Sequence, residues 1–140
     1  MGSVFTMIIE GELPGRFVWK DELCVAFLSI NPLAAGHTLV VPRQEVDHWI
    51  DLDPDLASHL MAVSQKLGLA LNLGFKPKRI ALMIAGLEVP HTHLHVVPIE
   101  GIHDLDADAV DLAPDPDALD AAADRVRAAL RALGHPEVSD

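Results

Sequence analysis

Residues 91–98 read His91-Thr92-His93-Leu94-His95-Val96-Val97-Pro98. An extended chain sends alternate side chains to one face at a rise of ~3.3 Å per residue, so the stretch predicts a strand with three imidazoles in a row, neighbours about 6.6 Å apart. Thr92, Leu94 and Val96 then face the other way. Histidine is a mediocre strand former and protonated neighbours repel, so local structure alone gives little reason for such a row. Two chemistries give it one. Imidazoles two residues apart can share a metal ion, in which case Glu88, Glu100 or His37 must supply a further ligand. Alternatively, a neutral imidazole is a nucleophile at physiological pH and a protonated neighbour supplies charge to phosphate oxygens. The phosphate reading is the stronger, because nothing else in the sequence has metal-ligand spacing.

Working outward, Ile80–Ala85 predicts a strand that pairs with 91–99 across a short connection at 86–90. Upstream, the β-rich runs 17–20, 23–30 and 37–42 are separated by turn-forming residues and predict consecutive antiparallel strands. Leu56, Leu60, Val63, Leu67 and Leu71 recur at helical spacing behind an Asp53-Pro54 start, and Gly74 is expected just past the end. Beyond residue 101 aspartate, alanine and proline take over. There Asp115-Pro116 opens a second helix, at about 116–133, with Leu119, Ala123, Val126, Leu130 and Leu133 in one stripe and Gly134 as its stop. The expected fold class is α+β: an antiparallel sheet of about five strands, one long helix packed on it and a C-terminal helix beside it. The expected organisation is a body at 1–100 and an acidic extension at 101–140 packed on the same domain.

The chain has 140 residues, about half of them apolar, which is enough for one core. Its formal charge of -11 argues against a sequence-independent grip on nucleic acid or on an anionic membrane, since both require a basic surface. A phosphate must therefore be held locally. The one cysteine, Cys24, lies in an apolar run and reads as a small buried hydrophobe, which suits a reducing cytoplasm. No apolar stretch reaches the ~18 residues of a membrane helix.

Three blocks, FTMIIEGELPGR (5–16), LCVAFLSINPLAAGHTLVVPR (23–43) and AGLEVPHTHLHVVP (85–98), resemble the histidine triad family in one register over roughly residues 3–100. The resemblance implies that His93 is the nucleophile. It would attack the α-phosphorus of a purine nucleotide derivative, such as a phosphoramidate or a dinucleoside polyphosphate, and form a nucleotidyl-histidine that water cleaves. It also implies that the backbone carbonyl of His91 orients the His93 ring, that His95 and His37 complete the site, and that Val4, Phe5, Ile8, Phe27, Ser29, Ile30 and Leu39 form the base and ribose pocket. A homodimer is expected, and no cofactor. The alternative within this fold is a nucleotide-binding or protein-interaction module with weak catalysis.

The sequence departs from the family pattern in places. Ser29 stands where an acid or amide usually binds ribose and can make fewer hydrogen bonds. Ile80, Leu82 and Leu87 stand where asparagine, glycine and glutamine are usual, which removes donors and predicts slower turnover. Glu88 offers a carboxylate nearby, either as a proton donor or as a repeller of phosphate. Ser3, Thr6 and Glu45 occupy places where some relatives carry zinc ligands, so no structural zinc is expected there.

Overall fold

The computed structural model describes residues 2–140. Strands β1 (Phe17–Lys20), β2 (Cys24–Leu28), β3 (Thr38–Pro42), β4 (Arg79–Met83) and β5 (Leu94–Ile99) form one antiparallel sheet in the order β1-β2-β3-β5-β4. Among the described residues three α-helices, α1 (Val4–Ile9), α2 (Pro54–Phe75) and α3 (Pro116–Ala132), accompany the sheet, and the fold is of the expected α+β class.

The strand period divides the interior in two. Cys24, Ala26 and Leu28 of β2, Val40 of β3 and Leu94 and Val96 of β5 pack with Leu60, Val63, Leu67 and Leu71 of α2 and with Val126 and Leu130 of α3. On the other face Val25, Phe27, Leu39 and Val41 gather under Phe5 of α1. Both faces of the central strands are therefore covered, which is why β2 and β3 are buried at every position. In β1 an irregularity between Phe17 and Trp19 turns Val18 and Trp19 both toward the helices, where each is buried.

The sequence placed the elements well and their ends less so. The strand expected at 91–99 begins at Leu94, because the amides of His91 and Thr92 donate to the carbonyls of Val89 and Val46 instead of to a neighbouring strand. The strand expected at 80–85 runs from Arg79 to Met83, so the connection at 86–90 grows to the whole stretch between Met83 and Leu94. Gly74 does not end the long helix, which continues to Phe75 and closes at Lys76 in the left-handed region with φ 50°. Gly74 instead marks a close helix crossing: a Cβ there would lie 3.3 Å from Cγ of Arg125 on α3. The stripe on α3 buries Leu119, Ala123, Val126 and Leu130, whereas Leu133, at the helix end, is 43% exposed. Helix α1 escaped the sequence reading altogether. Its signal was Ser3, whose hydroxyl caps the helix by accepting from Thr6 N–H.

Gly36 has φ +92°, and a Cβ there would meet the Phe75 ring at 2.9 Å. A glycine is therefore required immediately before His37, and it holds the start of β3 against the end of α2.

Candidate active site

His95 lies on β5, paired with Leu39 of β3 on one side and Met83 of β4 on the other. Its side chain and those of His37 and His93 open into one cleft of about 1070 Å³ on the α1 face of the sheet. Val4, Phe5, Ile8, Phe27, Ser29, Ile30, Leu39 and Glu88 also line that cleft. His91 does not. Its ring is fully buried between Pro42 at the end of β3 and Ser3 at the start of α1, donating from Nε2 to the Pro42 carbonyl (2.7 Å) and meeting the Ser3 hydroxyl at Nδ1 (2.6 Å). The expected row of three is thus a pair facing the cleft, His93 and His95 with ring centroids 4.8 Å apart, and a third ring turned into the interior because residue 91 precedes the ladder.

The hydrogen bonds assign the ring protons of the other three histidines. A carbonyl only accepts, so the 2.8 Å bond between His93 Nδ1 and the His91 carbonyl puts the proton on Nδ1 and leaves the Nε2 lone pair free. The Leu33 amide donates to His37 Nδ1 at 3.0 Å, so His37 carries its proton on Nε2 and donates it to His95 Nδ1 at 2.9 Å. His95 is left with Nε2–H as the donor it offers to a ligand. One ring therefore presents a lone pair and its neighbour a proton, an arrangement made by backbone groups at Leu33 and His91. Phe5 packs edge-on against His93 at 4.8 Å and holds the ring in place.

Electrostatics keep these rings neutral. Burial, reinforced by the neighbouring imidazoles of His95 and His93, pushes His37 down to about 3. Burial and then His93 push His95 down to about 4. His93 is lowered as well, mainly by burial, against the opposing pull of the His91 carbonyl and Glu88. The charge on phosphate oxygens would therefore be met by neutral N–H donors, not by the protonated neighbour that the sequence suggested.

These shifts make stability depend on pH. A histidine whose folded value is depressed favours the native state fully above its unfolded value of 6.5, and that contribution is lost as pH falls from 6.5 toward 3–4. Between pH 7.5 and pH 5 the protein is expected to lose about 2 kcal/mol each from His37 and His95. Urea unfolding midpoints at the two pH values measure this, and His37→Gln should flatten the dependence. Equal midpoints for the unsubstituted protein would contradict the neutral-ring assignment.

The departures from the family pattern separate spatially. Ile80 packs toward α2, Leu82 shares its face of β4, and neither lines the cleft; Leu87 does, and is 94% exposed. The expected loss of three donors thus reduces to one position in the cleft, because strand alternation turns residues 80 and 82 away. Sequence reasoning missed a further wall. The segment after 101 brings Leu105, Ala107, Val110 and Leu112 to the cleft and is pinned by Asp111, whose N–H donates to the Pro32 carbonyl and whose carbonyl accepts from Asn31 Nδ2. Its apolar residues have no period, so no pattern signalled the contact.

A family model described as the HIT domain matches residues 10–102. The chain belongs to the histidine triad family. An uncharacterised HIT-like protein of Methanocaldococcus jannaschii is 37% identical over 99 residues, 68% of this chain and 77% of that one. Among solved structures, a zinc-bound histidine triad family protein from Mycobacterium smegmatis is 30% identical with a TM-score of 0.78, covering 93% of this chain and 94% of that one. A hypothetical histidine triad nucleotide-binding protein from Sulfolobus tokodaii is 26% identical with a TM-score of 0.82, covering 93% of each. This histidine triad protein therefore belongs to a superfamily of nucleotide hydrolases and transferases.

The zinc ligands that some relatives carry raise the question of Ser3, Thr6 and Glu45, which lie beside His91. In this histidine triad protein they do gather, but as a hydrogen-bonded network. Glu45 accepts from Ser3 N–H at 2.6 Å and from the Thr6 hydroxyl at 2.7 Å, and Ser3 Oγ meets His91. Those bonds hold the Glu45 carboxyl below its usual range. Two hydroxyls, a carboxylate and a ring with both nitrogens engaged do not suit zinc, so hydrogen bonds tie α1 to the β3 end here.

Proposed function

We propose that this protein binds a purine nucleotide derivative in the cleft and breaks a bond at its α-phosphorus through His93. The observation that carries this reading is the 2.8 Å bond from His93 Nδ1–H to the His91 carbonyl, which orients a neutral ring with its Nε2 lone pair unshared. In the first step that lone pair forms an N–P bond while the bond from phosphorus to the leaving group breaks, its electron pair departing with that group. Water then attacks the nucleotidyl-histidine, releasing the nucleoside monophosphate and returning the electron pair to Nε2. In this reading His95 Nε2–H donates to a phosphate oxygen through both steps, a role supported by the bond from His37 that holds His95 in that tautomer. Val4, Phe5, Ile8, Phe27 and Leu39 supply apolar walls for the base, and Ser29 a single hydroxyl for the ribose.

Away from the sheet, the outer side of α2 exposes Met61, Leu69 and Leu73, and β4 is a sheet edge, which supports a homodimer in this reading. A buried free thiol suits a cytoplasmic setting, and among the described residues no helix is long and apolar enough to cross a membrane.

A crystal soaked with AMP tests the site. The phosphorus is expected within ~3–3.5 Å of His93 Nε2, the separation of a near-attack arrangement. Phosphate bound elsewhere in the cleft would remove His93 from the chemistry. Binding at the expected place without turnover of a nucleoside phosphoramidate would favour the binding-module alternative, to which the exposed Leu87 lends support.

A further inference from the structure

The helix-covered side of the sheet, opposite the cleft, holds a second chemistry-bearing cluster. Asp21 lies in the turn between β1 and β2, Cys24 opens β2, and His59 projects from the second turn of α2. Among the described residues, these are the three potential ligands whose donor atoms all lie within 4.8 Å of one another. We propose that Asp21, Cys24 and His59 form a divalent-metal site of the zinc type, distinct from the histidine cleft and clamping the β1–β2 turn to α2.

The carboxylate is already aimed. Its Oδ1 accepts from the Leu23 and Cys24 amides, both at 2.8 Å, which fixes the plane of the group. Oδ2 is thereby turned toward both partners, 2.8 Å from His59 Nε2 and 3.6 Å from Cys24 Sγ, and it is steadied by Trp19 Nε1–H at 2.8 Å. That indole is the kind of supporting donor that orients ligating carboxylates. Tetrahedral zinc with bonds of ~2.0–2.3 Å sets its ligands about 3.5 Å apart, so the Sγ–Oδ2 edge needs no change and the Nε2–Oδ2 edge opens by less than about 1 Å.

Thiolate, imidazole and carboxylate are all accepted zinc donors, and three of them leave the fourth position to solvent. The cluster has an entry path. The Cys24 side is sealed, while the side chains of Asp21 and His59 are 15% and 32% exposed. Loading balances simply: the Cys24 S–H proton goes to solvent as the S–metal bond forms, and His59 moves its proton to Nδ1 so that Nε2 can ligate. The position where some relatives carry zinc ligands cannot supply these, because it lies on the other side of the sheet at Ser3, Thr6 and Glu45.

The full-length protein, stripped with a chelator under reducing conditions, is titrated with cobalt and then zinc. One equivalent of cobalt is expected to raise a thiolate-to-metal charge-transfer band that zinc then abolishes. Zinc at a hundredfold excess over Kd should raise the melting temperature by about 10 °C. Cys24→Ser should erase the band. His59→Gln, a change at a partly exposed helix position that leaves the core intact, should weaken cobalt binding at least ~100-fold and abolish the thermal shift. Saturating cobalt without a thiolate band, or a band and thermal shift that survive His59→Gln, would overturn the proposal, and the former would direct attention to the histidine cleft. Turnover at His93 is a separate readout, expected to be unchanged in His59→Gln.

Discussion

His93→Ala is expected to lose at least ~10⁴-fold in kcat/KM toward a purine nucleoside phosphoramidate. The size follows from the proton assignments. Removing the ring removes the one cleft imidazole with an unshared lone pair, since His37 Nδ1 is occupied by the Leu33 amide and His95 Nδ1 by His37. No neighbour can take over as nucleophile without reversing that chain of donors. Substrate binding should change little by comparison, because the apolar walls and His95 remain. The ring is buried against Phe5, so a modest loss of stability is expected, and a melting curve separates it from lost chemistry. Steady-state turnover with AMP affinity measured on the same samples decides the matter: a variant that keeps turnover within tenfold of the parent excludes His93 as the attacking group.

The second large effect runs in the opposite direction. Leu87→Gln is expected to raise turnover by ~10–100-fold, because it returns a hydrogen-bond donor to the cleft edge where a hydrophobe now stands. At 94% exposure the leucine contributes almost no packing, so the gain should carry no cost in stability. The gain should fall on kcat if the amide meets charge that develops in the transition state, and on KM alone if it merely adds grip on the bound nucleotide. The same substitution in His93→Ala should produce nothing, which ties the effect to the histidine reaction. Ile80→Asn serves as the contrast. It sits against α2 and is expected to destabilise the protein without helping turnover. Equal turnover in Leu87→Gln and the parent would mean that the family pattern at this position does not carry over to this chain.

Much of this molecule is legible in its sequence. Leu56 to Leu71 at helical spacing marked α2, and all five of those residues are buried, with Ser64 and Ala70 beside them. Alternation from His93 to Val97 placed two imidazoles opposite Leu94 and Val96, and the sheet keeps that division. The limits of periodicity appeared where the backbone had other partners. His91 obeys the alternation in sequence, yet its amide bonds to Val89, the ladder starts three residues later and its ring turns into the interior. Ile80 and Leu82 align with family donor positions, yet the pleat of β4 aims them away from the cleft. Helix α1 is too short for periodicity to register, and only its serine cap announced it.

By itself the sequence determined the α+β class, the helical faces and the histidine stretch as the centre of interest, because local propensity and period act over a few neighbouring residues. The tertiary structure decided which histidines share a cleft, on which ring nitrogen each proton sits, that the acidic tail supplies a wall, and that Asp21, Cys24 and His59 meet. These outcomes depend on hydrogen bonds such as Leu33 to His37 and His37 to His95, and on contacts between residues dozens of positions apart. Only the packed chain brings such partners within reach, and a bond of 3 Å is too local in space and too distant in sequence to leave a periodic trace.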